Sequence, residues 1–159
     1  FAHEDLATVN AIAERCGLDL IQLHGDEPPD YVRCLARPAV VARRVAGSVP
    51  WAALRAYPAW AYLLDGYRPG QLGGPGQAWD WPLAAQGRPD EARLIVAGGL
   101  TPDNVSGAIC AAQPWGVDVS SSVEASPGRK HPVRVANFSA AVQAADAHEQ
   151  DAGGHQQRR

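Results

Sequence analysis

The chain has 159 residues, 46% of them hydrophobic and 19% charged, with a formal net charge of −3. That is room for one domain with its own core, and the slightly acidic balance leaves no electrostatic footprint for nucleic acid. No apolar run reaches the ~18–20 residues of a bilayer span, and the length falls short of the ~250 typical of a complete eight-stranded βα barrel. The 16 glycines and 13 prolines imply many turns. A chain that lacks methionine and opens on Phe1 is expected to be processed or incomplete at its N-terminus. The three cysteines, Cys16, Cys34 and Cys110, have neither zinc-ligand nor redox spacing. They are expected to be small buried hydrophobes in a reducing cytoplasm.

Along the chain, short apolar runs alternate with amphipathic stretches. Leu6, Val9, Ile12 and Ala13 recur at helical spacing between His3 and Cys16, and Gly17 is placed to end that helix. Leu18–Leu23 predicts a strand, and Pro28 and Pro29 open a helix through Leu35. Ala39–Val45 predicts a second strand, Val49–Ala56 a short helix and Ala61–Leu64 a third strand that delivers Asp65. Residues 66–78 are rich in glycine and proline and long enough to be a functional lid. Trp79 and Trp81 are expected to anchor it by packing, and a short helix follows. Arg93–Ala97 predicts a fourth strand, meeting Gly98 and Gly99. Thr101 and Pro102 fit the N-cap and first position of a helix to about Ala112. Val117–Val119 predicts a fifth strand, and a last helix runs from about Pro132 to Ala147. One domain over residues 1–147 is expected, with a disordered polar tail over 148–159.

This alternation implies a parallel sheet with helices outside it, an α/β fold. Functional residues in such folds gather where the strands end. Gly98 and Gly99 on one strand end, with Ser120, Ser121 and Ser122 on the next, suit a phosphate: glycine lets backbone N–H groups approach closely, and serine adds hydroxyl donors. Asp65 closes an apolar strand beside the glycine-rich loop. There it either has a raised pKa and acts as a general acid, or starts the loop by bonding its own backbone. Asp118 alternates with Val117 and Val119, so it points either into the interior of the sheet or out to the helix layer, and needs a fixed partner. His24 has no companions at metal-ligand spacing and suits substrate contact or strand-end hydrogen bonding.

Several blocks then resemble one family. Gln22-Leu23-His24-Gly25-Asp26-Glu27 is similar to the QLHG(D/E)E motif of phosphoribosylanthranilate isomerases of tryptophan biosynthesis. Leu63-Leu64-Asp65, then Gly73-Gly74-Pro75-Gly76 and Trp79-Asp80-Trp81, resemble the family's LLD…GG(T/S)G…FDW block. Ala97 to Val105 resembles (A/S)GGL-x-P-x-NV, Gly116 to Glu124 resembles GVDVSSGVE, and Pro127 to Lys130 the PGxKD that follows. The resemblance implies a (β/α)₈ TIM barrel, of which this chain would carry about strands 4–8, the first three being missing. It implies an isomerase that performs an Amadori rearrangement of N-(5-phosphoribosyl)anthranilate to 1-(2-carboxyphenylamino)-1-deoxyribulose 5-phosphate, an intramolecular aldose–ketose conversion. No metal or organic cofactor is implied, and the location is cytoplasmic.

Residue by residue, Asp65 would be the general acid. Gln22, His24, Gly98, Gly99, Asp118, Ser120 and Ser121 would line the substrate and phosphate site. The family's general base is a cysteine after strand 1 and its carboxylate clamp an arginine after strand 2; neither motif occurs here. The chain is therefore expected to be inactive alone. The alternative is a naturally shortened fragment that binds phosphate and pairs with a complementary fragment. Neither a nucleic acid nor a membrane is an expected partner, and exposed sheet edges would favour self-association. Ser122 stands where the family has glycine, Pro75 where it has threonine or serine, and His131 where it has aspartate.

Overall fold

A computed structural model describes residues 1–66 and 79–154, with side-chain surroundings described as far as residue 147. In chain order the elements are α1 (Leu6–Arg15), β1 (Ile21–Leu23), α2 (Pro29–Arg33), β2 (Ala39–Val45), α3 (Trp51–Leu54) and β3 (Ala61–Gly66). Then come α4 (Pro82–Ala85), β4 (Leu94–Ala97), α5 (Val105–Ala112) and β5 (Gly116–Val117). A 3-10 turn at Ser121–Val123 leads into a hairpin of β6 (Glu124–Ser126) and β7 (Arg129–Lys130), and α6 (Pro132–Gly154) ends the fold. The lid expected over 66–78 begins at Gly66, which is the last residue of β3; residues 67–78, Pro75 among them, lie outside the described residues.

Local chemistry sets the boundaries. The Asp5 carboxylate accepts from the Thr8 N–H and opens α1. At its other end Gly17 takes φ +61, its N–H reaches the Glu14 carbonyl, and the Leu18 N–H reaches the Ala13 carbonyl. That pair of bonds is a Schellman cap, and it consumes Leu18, so β1 starts at Ile21 rather than at Leu18. β2 occupies Ala39–Val45 as its apolar run predicts. Helix α5 begins at Val105, later than the Thr101 cap suggests, because residues 102–104 form a turn and Asn104 takes the cap position. Helix α6 continues past the expected end at Ala147 to Gly154; Asp146 to Ala152 contain neither proline nor glycine to stop it. Residues 155–159 lie outside the described residues.

The five strands β1 to β5 form one parallel sheet in sequential order. Side-chain alternation divides that sheet into two faces. Ile21, Leu23, Val41, Val45, Tyr62, Leu64, Leu94 and Val96 share one cluster with residues of α1, α3, α5 and α6. Val40, Ala42, Ala61, Leu63 and Ala97 form a second cluster, joined by Leu20, Trp60 and Ile95. The helices thus pack on one face only, called outer below. A sequential parallel sheet has no point where strand order reverses, so its right-handed crossovers all lie on the same side. This is the winding of a barrel rather than of a doubly wound sheet, and the fold is α/β of TIM-barrel type. Among the described residues no helix is long and apolar enough to cross a membrane.

Candidate functional site

The same alternation decides which side chains share a site. On β3, Ala61 and Leu63 lie on the inner face, so Asp65 does too. On β2, Val40 and Ala42 are inner, which places Arg44 inner and Arg43 outer. Leu20 is inner on the first strand, and Gln22 and His24 follow at the same parity. Val117 and Val119 pack on the outer cluster, so Asp118 turns to the inner face, which settles the two readings of that residue. Gln22, His24, Arg44, Asp65 and Asp118 therefore converge at the C-terminal ends of the strands.

Asp65 sits at the centre of this row. It pairs in register with Arg44 on β2 and Ala97 on β4. His24 Nε2 lies 3.9 Å from Asp65 Oδ2, and both side chains are about one-third exposed. Burial lifts the carboxyl above its ordinary pKa of 3.8; the charges of His24 and then Arg44 oppose the rise, and Asp118 adds to it. Desolvation outweighs the opposing charges, and the carboxyl keeps its proton to higher pH than an exposed one does.

Gly98 has φ +87, and a Cβ built there would lie 2.6 Å from Asp65 Oδ1 and from the Gly66 N atom. Its missing side chain is what admits the Asp65 carboxyl and the end of β3. Gly99 also lies in the left-handed region, with φ +66. Asn104 ties this loop in place: its Nδ2 donates to the Gly99 carbonyl (3.0 Å) and its Oδ1 accepts from the Thr101 N–H (2.8 Å). Trp79 is 6% exposed, fills the space beside Gly66 and donates from Nε1 to the Ala97 carbonyl (3.0 Å). It packs into the core; the loop it is expected to anchor lies outside the described residues.

Ser120 and Ser121 are exposed at the end of the row. Lys130 Nζ donates to the Ser120 carbonyl (3.1 Å) and to Glu124 Oε1 (3.0 Å), and lies 3.5 Å from Ser120 Oγ. Ser122 Oγ donates to the Leu100 carbonyl, so this departure from glycine joins the serine turn to the glycine loop. Both loops present donors at one side of Asp65, an arrangement suited to a phosphate.

Arg44 lies in no quoted motif, and the parity of β2 was its signal; Asn104 and Lys130 stood inside the GGL-x-P-x-NV and PGxKD blocks, which gave them no role. The cysteines contradict expectation: Cys16, Cys34 and Cys110 are all free and exposed. The first two follow helix ends and the third lies on α5, so all three belong to the helical layer and away from the inner row. Among the described residues no cluster of His, Cys, Asp and Glu could hold a metal ion.

Comparison with known proteins bears on this arrangement. A family model described as N-(5'phosphoribosyl)anthranilate (PRA) isomerase matches residues 1–141. An N-(5'-phosphoribosyl)anthranilate isomerase from Citrifermentans bemidjiense is 48% identical over 137 residues, covering 85% of this chain and 65% of that protein. This chain thus spans about two-thirds of the length of the curated relatives it matches. A crystal structure of monomers generated from the dimeric isomerase of Thermotoga maritima superposes with a TM-score of 0.77 at 30% identity, covering 91% of this chain and 70% of that one. Another isomerase, in complex with reduced 1-(o-carboxyphenylamino)-1-deoxyribulose 5-phosphate, superposes with a TM-score of 0.68 at 31% identity, covering 87% and 66%.

Proposed function

The chain belongs to the N-(5'-phosphoribosyl)anthranilate isomerase family, and from that premise we propose that it carries out the Amadori rearrangement of N-(5-phosphoribosyl)anthranilate in tryptophan biosynthesis. The product would be 1-(2-carboxyphenylamino)-1-deoxyribulose 5-phosphate. The observation that carries this reading is Asp65, a carboxyl whose pKa burial raises and which is flanked on one side by a phosphate-type cradle.

Asp65 gives its proton to the ribose ring oxygen as the C1–O bond breaks, and the anilino nitrogen supplies the electron pair that forms the iminium. A base, which the family resemblance places on a cysteine after strand 1, removes the C2 proton and the electrons flow back to nitrogen; the resulting enol becomes the C2 ketone as C1 takes up a proton and the hydroxyl gives one up. Gly98, Gly99, Ser120 and Ser121 would hold the phosphate, with Asn104 and Lys130 fixing their loops. Gln22, His24 and Asp118 would face the sugar. The exposed cysteines on the helical layer do not supply the base.

We assign β1 to β5 to strands 4–8 of the barrel. Phe1 supports this, because its N–H donates to the Gln22 carbonyl and its carbonyl accepts from the His24 N–H. It pairs with the free side of β1, where the preceding strand of a barrel would lie. Self-association through the edges β1 and β5 belongs to the same proposal. Neither the fold nor the relatives supports the expected inactivity of the chain or its pairing with a complementary fragment; the isomerase reading is the one they favour.

The test is an isomerase assay beside calorimetric binding of the reduced product. Conversion that falls by about 10²–10⁴-fold in Asp65→Asn, with binding of the reduced product retained, is the expected result. A chain that neither converts the substrate nor binds the reduced product would sink the reading.

A further inference from the structure

We propose that Glu27 is a positioning residue of this site, its buried carboxylate holding the turn that brings His24 to Asp65. The consequence for turnover rests on the isomerase reading; the positioning itself does not.

When Asp65 gives up its proton it becomes a carboxylate, and the His24 imidazole is placed to face that charge, with Nε2 3.9 Å from Asp65 Oδ2. Burial raises the pKa of Asp65, and His24 comes first among the charges that oppose the rise, ahead of Arg44. The imidazole makes no hydrogen bond to the described residues, and 3.9 Å is longer than one. Its distance from Asp65 is therefore set by the backbone that carries it.

That backbone is held at both polar groups of Gly25, the residue after His24. Glu27 Oε2 accepts from the Gly25 N–H (3.1 Å), and Arg43 Nη1 donates to the Gly25 carbonyl (3.0 Å). The second oxygen, Glu27 Oε1, accepts from the His3 N–H (2.7 Å). Phe1 already pairs with Gln22 and His24 through backbone bonds, so one carboxylate ties the end of β1 to the segment beside it. A Cβ at Gly25 would lie 2.5 Å from Glu27 Oε1 and 2.9 Å from the His3 N atom, so glycine is what leaves room for the carboxylate. His3 takes φ +55, a left-handed conformation that a residue other than glycine holds at a cost, and in it offers its N–H to Glu27. Among the described residues Glu27 is also the one buried polar or charged side chain. A carboxylate there is costly unless bonded, and an apolar residue would pack without that cost. What the carboxylate adds is a fixed place for the turn, and His24 is the side chain that the turn delivers to the inner row.

The test follows the Asp65 carboxyl carbon by NMR across pH in the unsubstituted chain, His24→Gln, Glu27→Gln and the double variant. Arg44 and Asp118, the other charges acting on Asp65, are the same in all four. His24→Gln removes a charge that opposes the rise. It is expected to move the Asp65 midpoint up in the unsubstituted chain and to leave it unmoved in the Glu27→Gln chain. In the isomerase assay Glu27→Gln is expected to lower kcat by about 10-fold with KM nearly unchanged, and to add no further loss to His24→Gln. The Gly25 and His3 amide protons of the unsubstituted chain are expected to resist hydrogen exchange, which checks the grip independently of whether Glu27→Gln folds. An Asp65 midpoint that His24→Gln moves equally in both backgrounds, or in neither, overturns the proposal, as do additive losses of kcat or rapid exchange at either amide. If the unsubstituted chain converts no substrate, the isomerase reading fails, and the titration and exchange alone decide the positioning.

Discussion

At Asp65, burial and charge pull in opposite directions. Desolvation raises the pKa, His24 and Arg44 resist, and the net displacement is upward. The folded chain therefore keeps this proton to higher pH than the unfolded chain, whose carboxyl titrates near 3.8. Below that pH the group costs nothing. As pH rises towards the raised value the unfolded state loses its proton first, and stability falls; above the raised value the loss is complete and constant. Asp65→Asn removes the ionisation, so its stability advantage should be flat at the lowest pH, grow as pH rises through 3.8, and level off. Urea unfolding across pH 3–8 measures this, and an advantage that grows towards low pH would refute it. Gly98 is constrained twice, by φ +87 and by Asp65 and Gly66 packed where a Cβ would be. The Gly66 backbone cannot swing aside as a flexible side chain would. Gly98→Ala is expected to cost at least about 2 kcal/mol in chemical denaturation and to displace the Asp65 carboxyl.

At the scale of elements, site loops are held by polar side chains that lie outside the site. Asn104 bonds Gly99 and Thr101 from the start of α5, and Lys130 bonds Ser120 from β7. Asn104→Ala removes two hydrogen bonds and strands the Thr101 N–H. A loss of about 1–2 kcal/mol is expected, with weaker inorganic phosphate binding measurable by calorimetry. Glu27 does the same between β1 and α2. It is 6% exposed and accepts from the Gly25 N–H and from the His3 N–H (2.7 Å). Much of this level was legible: the apolar run of β2 and the Gly17 stop of α1 read directly, because each depends on neighbours in sequence. The start of α5 did not, because residues 102–104 form a turn first and the Asn104 side chain bonds the preceding loop instead of the helix. Nor did the β6–β7 hairpin, whose two short strands are exposed and carry no alternating apolar pattern.

For the whole molecule, the sheet has helices on one face and a smaller apolar cluster on the other. Its edges are β1 and β5, and Trp115, beside Trp60 at the opposite end of the strands from the site, is 61% exposed. Open edges and apolar surface favour association, so sedimentation velocity should show a concentration-dependent shift above the monomer; a monomer throughout the micromolar range would refute this. The sequence by itself determined the α/β alternation, the family, and Asp65 with its glycine and serine loops, because these are carried by local periodicity and contiguous motifs. Only the tertiary structure decided the rest. Strand pairing put Arg44 beside Asp65, alternation turned Asp118 inward, and packing left the three cysteines exposed. Those outcomes depend on which strands lie side by side and which face the helices cover, and no single segment of the chain contains that information.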